Sequence, residues 1–378
     1  MNFDWSDEQK ELRRTVVEFC RAKLPAIPDG ERPVFSRETW LACARHGVLG
    51  IAVPARYGGL EKDALTAALV TEALGYGCTD LGLVFAMSAH VYACIVPLMT
   101  FGTEAQRERW LPRLVSGDAI AAHATTEPNA GSDIFRMSTR AERRGDQYVL
   151  TGIKCFTSNA PVADVLLVTA ATDPSKGYFG LSTFLVEKNT PGLRLGKPYD
   201  KVGLESAPMS DVYLDDCIVP ATHCIGSEGA GASVFLHSMT WERTCLLAAY
   251  VGAMERVLER TIAYAKERNQ FGQPIGRFQG VSHRIADMKV RLESSRLLLY
   301  RAAWGIAHDR ADDMTAALAK LAVSEAAVAS ALDAIQVHGA VGTMSGEVER
   351  FMRDAVPSRI FSGTSEIQRN TIARALGL

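Results

Sequence analysis

Several features that would point directly to a chemistry are missing from these 378 residues. There is no Gly-x-x-x-x-Gly-Lys-Ser/Thr loop and no Gly-x-Gly-x-x-Gly turn, which argues against P-loop and Rossmann nucleotide sites. The eight cysteines, Cys20, Cys43, Cys78, Cys94, Cys155, Cys217, Cys224 and Cys245, include no Cys-x-x-Cys pair, and the histidines form no cluster at zinc-ligand spacing. No metal site is therefore expected, and the cysteines read as reduced thiols of a cytoplasmic protein. An excess of either charge is also lacking: 41 basic against 43 acidic residues leave a net charge of -2. That balance gives no general attraction to nucleic acid or to an anionic membrane, and neither is expected as a partner. The opening Met1-Asn-Phe-Asp-Trp-Ser-Asp-Glu8 has acids where a secretory signal has basic residues and then an apolar run, so no targeting peptide is expected. Internal repeats and low-complexity segments are absent as well.

What is present is ordinary globular composition, 47% hydrophobic and 22% charged. The length predicts two or three domains. One stretch imitates a membrane span, since Leu81 to Thr103 holds no charge. Gly82, Ser88, His90, Pro97 and Gly102 interrupt it and no basic flank accompanies it, so a helix packed inside a helical domain is the simpler account, with His90 a hydrogen-bonded core histidine.

Residues 1–119 read as a helical bundle. Ser6 and Ser36 cap the first two helices, Ala64 to Leu74 and Glu104 to Val115 form others, and Pro54 to Gly59 and Gly75 to Thr79 read as loops. Residues 120–226 form a β domain. Its short runs, Ala119 to Thr126, Tyr148 to Gly152, Val165 to Ala171, Leu181 to Val186 and Val212 to Leu214, predict a small antiparallel sandwich or barrel. From 227 to 378 helices return, at Ala232 to Lys266, Gly276 to His308, Asp313 to His338 and Thr364 to Leu376, a second bundle of four. The fold class is mainly α with a β domain in the middle.

One carboxylate stands out. From Phe235 to Tyr250 the only full charges are Glu242 and its neighbour Arg243, and the next acids are Glu228 and Glu255. At 3.6 residues per turn, Glu242 shares its face with Ser238, Met239, Cys245, Leu246 and Ala249. A carboxylate in such an apolar wall gains proton affinity, which is how a weak acid becomes a general base near neutral pH. Equally, Glu242 could reach a polar partner elsewhere in the core.

Four stretches lie at joints between the domains. Thr125-Thr-Glu-Pro-Asn-Ala-Gly-Ser-Asp133 follows a strand and reads as a turn or as a set of donors to a flat ligand. Glu267-Arg-Asn-Gln-Phe-Gly272 offers an arginine, an amide and an aromatic ring, or simply a helix end. Gln336-Val-His-Gly-Ala-Val-Gly342 reads as a helix cap and turn, and in Ser362-Gly-Thr-Ser-Glu-Ile-Gln-Arg369 Thr364 or Ser365 can cap the last helix.

Together with Lys154-Cys-Phe-Thr-Ser-Asn159, these stretches resemble the acyl-CoA dehydrogenase family across essentially the whole chain, in the family's order. The resemblance implies that fold, and FAD bound between the β domain and the C-terminal bundle with a neighbouring subunit completing the site. Thr126, Ser132, Phe156 and Ser158 would line the flavin ring, with Thr364 and Glu366 nearby. Arg268, Phe271, Gln279, Gln336 and Gly339 would reach the cofactor's ribityl, phosphate and adenine parts across the interface. A homotetramer, or at least a dimer, follows. Most members place a glutamate base directly before Gly-Thr in the last motif, where this chain has Ser362; the isovaleryl-CoA and long-chain enzymes place it before an arginine on the long helix, the position of Glu242. Arg243 is then either a contact to the substrate arm or a hydrogen-bonding partner for the fold. A further departure is Glu205, where many relatives have arginine.

Within the family, Gly77 to Phe85, Met239 to Leu247, Val281 to Ser294 and Ile360 to Ser365 are most similar to the prolyl-carrier-protein dehydrogenases of pyrrole biosynthesis. That resemblance implies oxidation of L-proline tethered through phosphopantetheine to a peptidyl carrier protein. The alternatives it leaves are a short or branched-chain acyl-CoA dehydrogenase and a flavin-binding scaffold without activity.

Overall fold

The computed structural model describes residues 4–378, so the first three residues of the expected leaderless start lie outside the described residues. The N-terminal part is helical: α1 (Asp7–Lys23), α2 (Arg37–Arg45), α3 (Ala64–Gly77), α4 (Leu81–Ser88), α5 (Val96–Phe101) and α6 (Glu104–Val115), with a π-helical segment, Ala89–Ile95, joining α4 to α5. The starts are fixed by side chains. Ser6 Oγ accepts from Gln9 N and Gln9 Oε1 accepts from Ser6 N, a reciprocal cap that Thr103 and Gln106 repeat at α6. The charge-free run Leu81–Phe101 is one continuous helix with its most apolar stretch 94% buried in the protein. Asp313–Thr343 is also long and apolar enough to cross a membrane by composition, and 61% of its most apolar stretch is buried. His90 is fully buried, accepting from Ala121 N at 3.0 Å and facing Leu114 O at 3.1 Å, and burial pulls its pKa down to about 4. A neutral imidazole, protonated on Nε2, satisfies both contacts.

The loop expected at Gly75 to Thr79 begins three residues later than expected, at Cys78, because α3 runs on to Gly77. Glycine serves packing there: a Cβ on Gly75 would lie 2.0 Å from Ala249 O, and one on Gly252 2.0 Å from Glu72 O. The two helices meet backbone to backbone.

The middle part is one eight-stranded sheet: β1 (Ala121–Ala124), β2 (Arg140–Arg144), β3 (Gln147–Ser158), β4 (Val165–Ala171), β5 (Leu181–Glu187), β6 (Leu193–Leu195), β7 (Met209–Pro220) and β8 (Cys224–Ile225). The path runs β6-β7-β3-β2-β4-β5-β8, and β1 branches from β4. The expected all-antiparallel pattern needs correction, since β1 lies parallel to β4 and β2 meets β4 in parallel at Arg140 and Ala171. β4 is buried along its whole length because both of its faces pack. Val165 and Leu167 join the core shared with the helices, and Leu166, Val168 and Ala170 join a second core with Leu150, Phe184, Val212 and Leu214.

The C-terminal part holds α7 (Gly231–Trp241), α8 (Ala248–Glu267), α9 (Gln279–Ala307), α10 (Asp313–His338), α11 (Glu347–Ala355) and α12 (Ser365–Ala375). Three expectations are corrected here. The single helix Ala232 to Lys266 is broken by a π-helical turn at Glu242–Leu246, α9 starts at Gln279 after a short 3-10 turn, and α11 adds a helix to the expected four. A two-residue hairpin, β9 (Asn269–Gln270) with β10 (Gln273–Pro274), follows α8 and turns through Phe271 and Gly272, both at positive φ.

Candidate active site

Glu242 opens the π-helical turn between α7 and α8. That turn packs against the other π-helical segment, Ala89–Ile95. Widened turns of this kind are frequent at functional sites because they re-aim one residue without ending the helix. The Tyr92 and Trp241 rings stack across the contact at 6.0 Å. The wall foreseen around Glu242 is in place: Ser238, Met239, Cys245, Leu246 and Ala249 are all buried. Burial pushes Glu242 up to about 7, and the Ser362 hydroxyl and the Arg243 charge only partly hold it down.

A polar partner does exist, and it comes from 120 residues away. Ser362 Oγ donates to Glu242 Oε2 at 2.6 Å. Arg243, itself buried, turns off the Glu242 face and donates from Nε to Ser362 O at 3.1 Å. Gln368 Nε2 donates to Gly363 O at 2.8 Å and to Ser362 O at 3.3 Å. Ser362 sits at φ +52 and Gly363 at φ +88, two successive left-handed residues that turn the chain into the cap of α12. Thr364 makes that cap, accepting from Ile367 N at 3.3 Å, and Glu366 lies in the first turn. Just before the loop, Phe361 packs its ring on Phe85 at 4.9 Å and on Tyr250 at 6.2 Å.

A second group lies on the β domain. Thr126 follows β1 and its carbonyl accepts from Cys155 N at 2.9 Å, so Thr126 is brought beside Phe156 and Ser158 at the end of β3. Phe156 falls where the β3–β7 register shifts, at φ +52, with 62% of its surface exposed. A bulge at that place turns a large ring outward that a regular strand would hold to one face. Ser132 is exposed on the loop that Thr126 begins. Beneath this ledge Lys154 and Glu127 are buried, joined at 2.8 Å, with Lys154 Nζ also donating to Thr125 O at 3.0 Å. Burial pulls the Lys154 ammonium down to about 8. It also raises Glu127, but Lys154, Ser138 and Thr139 outweigh it and bring that carboxyl to about 2. Two buried hydroxyls flanking the ledge, Thr125 Oγ1 and Thr157 Oγ1, have no hydrogen-bond partner.

The third group is gathered at the far end of α8. Arg268 caps that helix, Phe271 is 93% exposed at the hairpin tip with its ring 6.0 Å from Phe278, and Gln279 begins α9. Tyr264 ties this end to the Gln336 and Gly339 stretch, its hydroxyl donating to His338 O at 3.2 Å and its ring stacking on His338 at 4.4 Å. α8 has 20 residues, a rise of about 30 Å. Arg268 and its neighbours are thus held well away from Glu242 of the same chain.

Sequence reasoning named Ser362 as a departure but missed the bond it makes, and it passed over Phe361, Gln368 and the π-helical segment facing Glu242. The one available signal was the Ser362-Gly363 pair directly before an N-cap.

Models of the acyl-CoA dehydrogenase N-terminal, middle and C-terminal domains match residues 6–118, 122–217 and 229–377. An L-prolyl-(peptidyl-carrier protein) dehydrogenase of Pseudomonas fluorescens is 45% identical over 380 residues, covering 100% of both chains. Among solved structures, the prolyl acyl carrier protein oxidase AnaB matches with TM-score 0.97 and 47% identity, over 99% of this chain and 100% of that one. PigA, solved with FAD and proline, matches with TM-score 0.95 and 43% identity over 100% of both chains. Matched in all three of its parts and along its full length, the chain belongs to the acyl-CoA dehydrogenase family.

Proposed function

We propose that this chain is an FAD-dependent dehydrogenase of L-proline carried as a thioester on a peptidyl carrier protein, forming the pyrroline or pyrrolyl thioester, with Glu242 as general base. The observation that carries the chemistry is Glu242 itself: a buried carboxyl held near pH 7, met by a single hydroxyl. A base of that strength abstracts the α-proton of a thioester in the neutral range, a contribution of roughly 10²- to 10⁴-fold in rate. The choice of substrate is supported by AnaB and the Pseudomonas enzyme, whose names specify prolyl carrier substrates.

The residues present fit the cofactor. An outward aromatic ring, Phe156, lies beside Thr126 and two buried hydroxyls without partners, a ledge suited to a flat polar ring system. Thr126, Ser132, Phe156 and Ser158 line the ring, with Thr364 and Glu366 nearby. Arg268, Phe271, Gln279, Gln336 and Gly339, set apart along α8, serve the phosphate and adenine parts in the site of a neighbouring copy, so the enzyme is a dimer at least and a homotetramer by its family. Bound FAD supplies the hydride acceptor. Glu242 removes the proton, the apolar wall around it excludes water, and Arg243 holds the Ser362 loop. With its eight cysteines unpaired, the enzyme is assigned to the cytoplasm.

The test is anaerobic bleaching of the yellow holoenzyme by prolyl-loaded carrier protein, isovaleryl-CoA and butyryl-CoA in parallel. Bleaching by the carrier substrate alone is expected. Bleaching by a free acyl-CoA alone would assign the protein to short or branched-chain acid oxidation, and no bleaching by any would leave a flavin-binding scaffold or a different acyl group.

A further inference from the structure

We propose that Ser362 is a positioning residue for Glu242: its hydroxyl fixes one carboxylate oxygen, Oε2, and leaves the other free for the reacting carbon. This rests on the reading of Glu242 as the base. Three features of the geometry carry it. The hydroxyl donates at 2.6 Å, the length of a hydrogen bond to an ionised carboxylate. The residue that delivers it stands at φ +52, a conformation disfavoured for a non-glycine side chain, so the loop is held there against its own preference. The holding is done by Arg243 Nε and Gln368 Nε2, which both donate to the Ser362 carbonyl. Adjacent residues of one π-helical turn thus grip the two ends of one serine: Arg243 takes its carbonyl and Glu242 takes its hydroxyl. Gly363 completes the clamp, since a Cβ there would come within 2.8 Å of Gln368 Nε2.

A single donor has two consequences for a base. It removes the rotational freedom of the carboxylate, so the free oxygen points one way. It also stabilises the ionised form against burial, which would otherwise keep the proton on at neutral pH. Other titratable or charged groups lie on the surrounding elements. Arg243 is on the same turn with Cys245, His237 is on α7, His90, Tyr92 and Cys94 are on the facing π-helical segment, Glu366 and Arg369 are on α12, and Asp63 caps α3. Asp313 and Lys320 on α10 act on Arg243 or are acted on by it, and Glu72 of α3 is paired with Arg296 of α9 at 2.9 Å. Of these, only Arg243 acts alongside Ser362 in lowering the proton affinity of Glu242.

The experiment is the pH dependence of substrate-driven flavin reduction in Ser362→Ala and Ser362→Gly holoenzyme, with flavin content and thermal midpoint measured alongside. Alanine keeps the Cβ and the backbone strain, and glycine relieves the strain; both remove the hydroxyl. The expected result is that the acid limb moves upward by about one pH unit in both variants, the worth of one hydrogen bond to a charged group. A merely structural serine would change the thermal midpoint or flavin content, differently in the two variants, and leave the limb where it is; that result would overturn the proposal. Should the alanine variant fail to fold, the glycine variant gives the same readout. Glu242→Gln is the control. Full reduction rates in that variant would remove the base itself, whereas a slow Glu242→Gln enzyme beside an unshifted Ser362→Ala enzyme would remove only the role of Ser362.

Discussion

Glu127 and Glu242 are both buried carboxyls, and their surroundings send them in opposite directions. Glu127 receives Lys154 at 2.8 Å and further hydrogen bonds from Ser138 and Thr139, and its pKa falls to about 2. Glu242 receives one hydroxyl, and its pKa rises to about 7. Burial is common to the two and decides nothing by itself. The number and charge of the donors determine whether a buried carboxylate becomes part of the framework or a base. The placement follows the same division: Glu127 pins the ledge at the end of β3, where rigidity serves, and Glu242 lies on a π-helical turn facing another.

The largest effect expected from breaking the comparison is on catalysis. Glu242→Gln should lower the rate of substrate-driven flavin reduction by about 10²- to 10⁴-fold with flavin content unchanged, as followed by stopped-flow absorbance. The corresponding change in the framework acid should act on stability. Glu127→Gln leaves the Lys154 ammonium buried without its counter-charge and should cost about 3–5 kcal/mol, read from chemical denaturation, with Lys154→Met in the same chain recovering part of the loss.

The third prediction concerns sign. The folded-state pKa of Glu242, about 7, lies above its ordinary 4.5, so its contribution to stability is full below pH 4.5 and lost as pH rises through 7. Glu242→Gln should therefore be more stable than the parent at pH 8, by up to about 3 kcal/mol, and no more stable at pH 4. Glu127 runs the other way: its contribution is present above its ordinary 4.5 and disappears as pH falls towards 2. The smallest effect belongs to a third acid, Glu205, which pairs with Arg353 at 2.6 Å and with the more exposed Arg32 at 3.3 Å. Glu205→Gln should cost about 1 kcal/mol, because its arginine partners keep access to water. The pairing also gives the departure at this position a physical role, a bridge from the β domain to α11 and the loop before α2.

Those elements whose pattern and ends agree were legible in the sequence. α6, β4 and α10 lie where composition, periodicity and capping put them, residue for residue in all three. β2 was not legible, since in Arg140-Ala-Glu-Arg-Arg144 only Ala141 is buried and one residue carries no period. The π-helical turns leave composition unchanged and show only as a local loss of the 3.6-residue period, too short to detect in a single helix. α11 does carry a readable signal, Val348, Phe351 and Ala355 on one face, obscured by the glycine-rich stretch before it. In the site, Glu242 was legible because one charge in an apolar face is a local anomaly. Its bond to Ser362 spans 120 residues and follows from the fold alone.

The most direct measurement of the central claim is the rate of anaerobic flavin reduction by prolyl-loaded carrier protein between about pH 5.5 and 9, for the parent and for Glu242→Gln. The account predicts a parent rate that rises through a single ionisation near pH 7, and a variant that is slow at every pH and lacks that ionisation. A variant that keeps the parent's rate and the same rise would contradict it, and would move the base to another residue.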